Sequence, residues 1–587
     1  MRIVAVFKAH SVSFLKKCCC LFVAATSLVV SLRIPAVGIP STIQPGQLEK
    51  QLVLPPSPSP KSQPIEIFPA LEQQKTQIED STNRFKLYDI DFDGAAAYSQ
   101  QFLKSFFSEI IGKTVTIKQI RTASDNLTTH YRNDGYVLAR ALIPAQTLKN
   151  GIVKIKVIEG FIESVNLQAD QGVDTTGLIQ DYIDKIRATK PLRQSVLERY
   201  LLLLNDLPGI YASGSLTPSS SQPGAAVLVI QVKHKKFGVQ AGFNNRLPEL
   251  LGTYRGEFYA EENNLLGWQE KSYARLLQSF EGKMTILSLG QDIGINDEGT
   301  KLSFMVNQVW SQSSIFNTSI GLKSDLISFN IGFSHPLLRS RNSNLLLRGG
   351  FSGVDSQSDA PQFNTTLIDD RIRSFRVGLT YDLADQFYGV NLVDIELSQG
   401  IDALGARNPS ASSRANGTAN LSAANGQLDY TKVTLYLSRL QSLTEDFSLL
   451  AAFNGQYSED VLLSPEQFAM GGEQFLRAYD PSEFIGDKGW AAKAELRYAL
   501  NAFSPVNTTL YGFYDYGQIF YNDHRSPSIS AAAAGAGMRV SFTQYFTGYI
   551  EGAKPLHPDE SSQGNRDMRV FGGFRLSYYT NPNRLSY

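Results

Sequence analysis

Cysteine is nearly absent from this chain of 587 residues: Cys18, Cys19 and Cys20 are all there are. Beyond residue 20 neither disulfides nor thiol chemistry can contribute. The 6 histidines are scattered, so no Cys/His cluster with metal-ligand spacing exists. His130 and His234 are isolated and read as surface or core residues. Gly-x-Ser-x-Gly is missing and no phosphate-binding loop is present. No metal, cofactor or catalytic residue is therefore expected, nor an enzyme. Charged residues make up 19% with a formal net charge of +0, which lacks the basic excess of a nucleic-acid binder. After the first stretch no apolar run is long enough for a helical membrane span. A chain of this kind can still enter a membrane as a closed barrel, because closure satisfies every backbone polar group.

What is present is β-compatible. Gly (46), Tyr (26) and Phe (34) are frequent, a mix suited to many turns and half-buried aromatic positions. The length calls for roughly two to four structural units. Lys8, Lys16 and Lys17 precede an apolar run from Cys18 to Leu32, then Ala36-Val37-Gly38. That order reads as a secretory signal peptide over 1–38, with a membrane anchor as the alternative. Residues 39–82, with Pro55-Pro56-Ser57-Pro58-Ser59-Pro60, read as a Pro-rich linker. A short helix is possible within it near Gln47–Val53.

From residue 83 the pattern is mixed α/β. Phe85–Phe92 alternates as a strand and Tyr98–Ile110 has helical spacing. Thr116 and Gln119 form a capping box opening a second helix with Ile120, Leu127 and Tyr131 on one face. Strands Tyr136–Ile143 and Ile152–Ile158 follow, turning through Lys149-Asn150-Gly151. The order then recurs: strand Phe161–Leu167, helix Thr176–Ile186, a helix starting at Pro191, and strands Ile210–Leu216 and Ala226–Val232. Two β-α-α-β-β modules, 83–160 and 161–235, are expected as a tandem repeat.

Over 236–587 helical periodicity disappears. Short alternating segments recur, such as Val433, Leu435 and Leu437 against Thr434, Tyr436 and Ser438. Others are Phe447 to Tyr457, and Val570, Phe574 and Leu576 against Arg569, Arg575 and Ser577. A soluble sandwich would alternate too. Segment lengths near ten residues, a polar face rich in Arg and Asp, and aromatic ends favour a transmembrane barrel. About 350 residues would supply roughly 16 antiparallel strands. The long polar connection Asp402–Gly426 contrasts with tight turns elsewhere. Gly535-Ala536-Gly537 sits in strand context and suits relief of crowding.

Four motifs carry a resemblance. Tyr136-Val137-Leu138-Ala139-Arg140 to Pro144-Ala145-Gln146, with Val157-Ile158-Glu159-Gly160, resembles the first POTRA module of the TpsB two-partner secretion transporters. This family belongs to a superfamily with BamA-like assembly factors. Gly471-Gly472-Glu473-Gln474-Phe475-Leu476-Arg477-Ala478-Tyr479, followed by Gly486-Asp487-Lys488-Gly489, resembles the family's long loop with its Val-Arg-Gly-Tyr/Phe tip. Phe513-Tyr514-Asp515-Tyr516-Gly517 resembles its Phe-x-Asp-x-Gly strand. Glu495 falls where the family has an acidic barrel-wall residue. Ala478 departs from the usual Gly; if that position needed positive φ, Ala would cost roughly 1 kcal/mol.

The resemblance implies an outer-membrane, lipid-embedded, monomeric barrel with its modules in the periplasm. It implies that a secreted, large β-helical partner is recognised unfolded by the modules and exported through the barrel. It also folds the Arg477 loop into the lumen, near a wall bearing Asp515 and Glu495, or else gives these residues a part in barrel folding alone. An assembly factor that inserts other barrels is the alternative function, and a diffusive porin a third. Paired modules disfavour the porin; two modules plus the N-terminal extension favour secretion over insertion. Whether an N-terminal helix plugs the pore stays open on these residues.

Overall fold

The computed structural model describes residues 39–52, 84–148, 150–170, 173–219, 221–314, 320–500, 506–523, 526–557 and 565–579. The signal stretch, the Pro-Ser run, Lys149 and the terminal Tyr587 lie outside them.

Two small α/β units precede the barrel. In the first, Asp89–Asp93 runs parallel to Ile152–Ile158, which pairs antiparallel with Arg140–Leu142. Ile117–Asn133 and the shorter Gln100–Ser105 are its helices. Ile90, Phe92, Leu103, Leu127, Val153 and Ile155 form its core. The second repeats the plan: Phe161–Ala169 runs parallel to Ala225–His234, with Ile210–Pro218 antiparallel. Helices Leu178–Ala188 and Gln194–Asn205 cover it.

The capping box forms as expected, with Thr116 N–H donating to Gln119 Oε1 (2.9 Å) and Gln119 N–H to Thr116 Oγ1 (3.4 Å). Several boundaries differ. The helix expected over Tyr98–Ile110 is only Gln100–Ser105, because Ser99 caps it late and successive turns take over from Phe106. Tyr98 instead packs edge-on against Tyr131. The strand expected over Tyr136–Ile143 shrinks to Arg140–Leu142, since Ala139 N–H turns back to Tyr136 O. Phe85–Phe92 divides into Arg84–Lys86, paired with Thr114–Thr116, and Asp89–Asp93. The helix placed at Pro191 begins at Gln194, with Arg193 extended as its cap.

The described residues form sixteen antiparallel strands that close into a barrel, the first, Phe237–Asn244, pairing with the last, Arg569–Tyr579. Strand alternation sorts the faces. Phe258, Leu437, Tyr457, Val570 and Leu576 point outward and are exposed, the surface a bilayer would cover. Inward positions carry ion pairs such as Arg348–Asp394 (2.6 Å) and Arg275–Glu257 (2.7 Å).

The second module sits at one end of this barrel. Lys185 and Arg199 reach Glu298 (3.0 and 3.2 Å), and Arg339 makes a two-pronged contact to Asp206 (2.7 and 2.8 Å). The near-end turns are short, as at 340–342 and 543–545, whereas 401–430 and 459–487 at the far end are long.

Glu159 explains the module motif. Its Oε1 accepts from Ala96 N–H (2.9 Å), Ala97 N–H (2.8 Å) and Tyr131 Oη (3.0 Å). Burial, reinforced by this carboxylate, holds the Tyr131 phenol above its ordinary pKa, so it stays a neutral donor. Glu159→Ala strands three donors and should destabilise the first module by about 2–4 kcal/mol. Limited proteolysis of the membrane-inserted protein should then cut within 84–160 while the barrel remains resistant.

Candidate functional site: the loop in the barrel lumen

The connection between the eleventh strand (Phe447–Ser458) and the twelfth (Lys488–Leu500) does not stay outside. It forms a turn, Ser464–Glu466, then a ribbon in which Phe468–Met470 pairs with Phe484–Gly486. Asp487 fixes its base, accepting from Leu462 N–H and Asn522 N–H (both 2.8 Å). That is the work of the Gly486-Asp487-Lys488-Gly489 motif.

Beyond Gly472 the tip packs against the lumen wall. Phe475, Leu476, Arg477, Ala478 and Tyr479 are all buried. The thirteenth strand, Val506–Phe520, turns Phe513, Asp515 and Gly517 inward. Asp515 Oδ2 accepts from Arg477 N–H (3.1 Å) and Nε (3.0 Å), and Oδ1 accepts from Nη2 (2.9 Å). The guanidinium carbon lies 3.5 Å from the Phe513 ring centroid, a cation–π contact. Arg477 Nη1 also pairs with Glu495 on the twelfth strand. The two candidate acids are thus not alternatives; both hold the same arginine.

Glycines make the room. A Cβ at Gly517 would stand 2.8 Å from Met470 Sδ of the ribbon, and one at Gly535 would stand 2.6 Å from Cζ of Phe513. The crowding-relief reading of Gly535-Ala536-Gly537 holds, and what it admits is the ring beneath Arg477. Ala478 carries no penalty: the left-handed residue at the tip is Leu476 (φ 57°), not Ala478.

Several members carry no local motif. Arg539 donates twice to Glu495 (2.7 and 3.2 Å). Glu551 lies 3.8 Å from Arg477 and pairs with Arg246 (2.6 Å), which also donates to Arg477 O (3.4 Å). Arg569 holds Ala478 O (3.0 Å) and Asp480 (2.5 Å). In sequence each is one more inward polar residue of a strand or loop; only barrel closure assembles them.

The segment read as linker contributes as well. Residues 41–52 form two short turns flanking a helix, Pro45–Glu49, seated inside the barrel. Pro45 occupies the first helical position, where its missing N–H costs nothing. Gln47 Nε2 donates to Ser464 O (2.5 Å), Lys50 Nζ to Gln467 O, and Ser41 Oγ to Glu483 O (2.9 Å), all on the loop. On the opposite side Glu49 accepts from Asn307 (2.9 Å) and Ser328, and Gln51 from Arg255 (2.8 Å). The open question of an N-terminal helix in the pore is answered: one lies there, two residues earlier than the Gln47–Val53 stretch.

A sixteen-strand barrel with a loop and a helix in its lumen and two α/β modules at one end defines an outer-membrane polypeptide transporter. The chain belongs to the haemolysin secretion/activation protein family ShlB/FhaC/HecB, whose pattern matches residues 224–540. A ShlB-type POTRA domain matches residues 85–160. The heme/hemopexin transporter protein HuxB of Haemophilus influenzae (strain 86-028NP) is 23% identical over 490 residues, covering 80% of this chain and 82% of that protein. The outer membrane transporter CdiB of Escherichia coli O6:K15:H31 (strain 536 / UPEC) is 22% identical over 514 residues, covering 85% and 83%. The solved structure of CdiB from Escherichia coli superposes with a TM-score of 0.70 at 20% identity, covering 88% of this chain and 94% of that one. The protein resides in the outer membrane with its POTRA modules in the periplasm, and it translocates a partner protein.

Arg477→Ala leaves Asp515 buried without its cation and should cost about 2–4 kcal/mol of loop docking. In double-mutant cycles read by channel conductance, coupling to Asp515→Ala should exceed coupling to Glu495→Ala, because Glu495 keeps Arg539 and Arg497. Additive losses at both acids would dismiss the pairing. The helix has its own test. A Cβ at Gly46 would stand 2.6 Å from Pro465 Cγ, so Gly46→Val should unseat the helix and raise single-channel conductance in planar bilayers.

Proposed function

We propose that the modules capture an unfolded, secreted polypeptide and that its entry displaces the loop and helix from the lumen, the chain acting as a conduit without a catalytic step. The observation that carries this reading is how the lumen is obstructed. Loop tip and helix are held largely by charged and polar groups, which water and a passing chain can replace, rather than by apolar packing alone.

Capture has a physical basis in the second module. Phe161–Ala169 is an edge strand of its sheet. Beside it runs a groove lined by Val165, Leu167, Ile183 and Arg187. Main-chain pairing to such an edge accepts many sequences while alternate side chains enter the groove. The client is a large polypeptide, β-helical once outside, and the barrel works as a monomer.

Insertion of other barrels, the competing function, would call on the seam between first and last strands. That seam is paired continuously from Asn244↔Gly573 to Gly238↔Tyr579, which favours passage through the lumen.

Deleting residues 84–232 should abolish export of the client while the barrel still accumulates in the outer membrane in heat-modifiable form. Continued export at the normal level would remove the modules from the recognition step.

A further inference from the structure

Lys493 on the twelfth strand stands directly across from Asp515 on the thirteenth. Both face the lumen, yet they do not pair. Among the described residues, all hydrogen bonds to the Asp515 carboxylate come from Arg477. The Lys493 ammonium lies instead 5.0 Å from the ring centroid of Phe475, on the same loop, and joins no ion pair among the described residues.

Departure of the loop would affect the three wall acids unequally. Glu495 keeps Arg539 and Arg497 (2.7 and 2.8 Å). Glu551 keeps Arg246 (2.6 Å) and the Tyr511 hydroxyl (2.9 Å). The Asp515 carboxylate loses all of its hydrogen bonds, and in the same motion Lys493 loses the ring it covers. Directly opposed residues of an antiparallel pair have Cβ atoms about 4.5–5.5 Å apart, well within the reach of a lysine.

We propose that Lys493 is a positioning residue of the transport cycle: it takes over Asp515 when Arg477 leaves. The two strands thereby hold one acid with two alternative cations, one on the loop and one on the wall. Pairing to the wall cation stabilises the emptied socket and delays re-docking of the loop while a client occupies the lumen. A contact made only in the released state shifts the balance towards that state. The proposal rests on the reading that the loop leaves its socket during export.

The test uses the thiol-free wall. Ala478→Cys places a single thiol at a position 1% exposed, which a membrane-impermeant maleimide should label only when the loop is out. The chain without this substitution serves as the blank. With client co-produced, Lys493→Met should slow labelling and export by roughly three- to tenfold, and Lys493→Arg should restore both. Lys493→Gln serves if the Met variant accumulates poorly. The sign is decisive. Were Lys493 merely a docking contact for Phe475, its loss would loosen the loop and speed labelling, as Arg477→Ala should. Faster or unchanged labelling therefore overturns the proposal. In an Asp515→Asn background Lys493→Met should slow labelling no further; continued slowing would also overturn it. If the thiol stays protected with native Lys493 and client present, the loop does not leave, and the reading of export by loop displacement fails with it.

Discussion

A carboxylate completely withdrawn from solvent on the wall of a membrane pore must have a cation, and with the loop docked Asp515 takes Arg477 as that cation. Taking one partner from such a buried pair costs about 3–5 kcal/mol, comparable to the stability margin of a small domain. This single demand orders its surroundings. Phe513 presents a ring to the face of the guanidinium, Gly535 makes space for that ring, and Gly517 admits Met470 of the ribbon behind it. Arg539 and Arg497 balance Glu495, and Arg246 balances Glu551.

Loop and helix behave as one obstruction because each supplies the other's partners. Around Glu466, which is almost wholly buried, gather Arg376 (2.8 Å) and Lys432 (2.5 Å) from the wall, beside the turn that receives Gln47 and Lys50. Withdrawal of the helix would open Ser464 O and Gln467 O to water, and withdrawal of the loop would strip the helix of one side of its seat. Mutual dependence of this kind favours joint departure over gradual loosening, which is what the proposed displacement of loop and helix requires.

The joint between module and barrel is of another kind. Lys185, Arg199, Asp206 and Glu298 are each between about a fifth and two fifths exposed. Pairs in that setting contribute roughly 0–1 kcal/mol each. Each of them by itself therefore adds little to holding the module against the barrel.

The class of fold was legible in the sequence because period-2 alternation, turn residues and the missing helical spans are local properties. The repeat of two β-α-α-β-β modules, the capping box at Thr116 and the outward faces of the barrel strands followed from them. Short segments were less legible: Tyr136 and Tyr98 have strand and helix spacing, but their rings are drawn into one aromatic cluster with Tyr131, which overrides local preference. Of the site, the motif residues from Gly472 to Tyr479, with Glu495, Phe513, Asp515 and Gly517, could be named from the chain because they lie in short recognisable strings. Arg246, Lys493, Arg539, Glu551 and Arg569 could not, since an inward charged residue looks the same on every strand. Which acid faces which cation is set by strand register, as between Lys493 and Asp515, and by barrel closure, which brings Arg246 to Glu551 from the far end of the chain. The chain by itself determined that there would be a wet, charged lumen; only the closed barrel decided which of those charges meet.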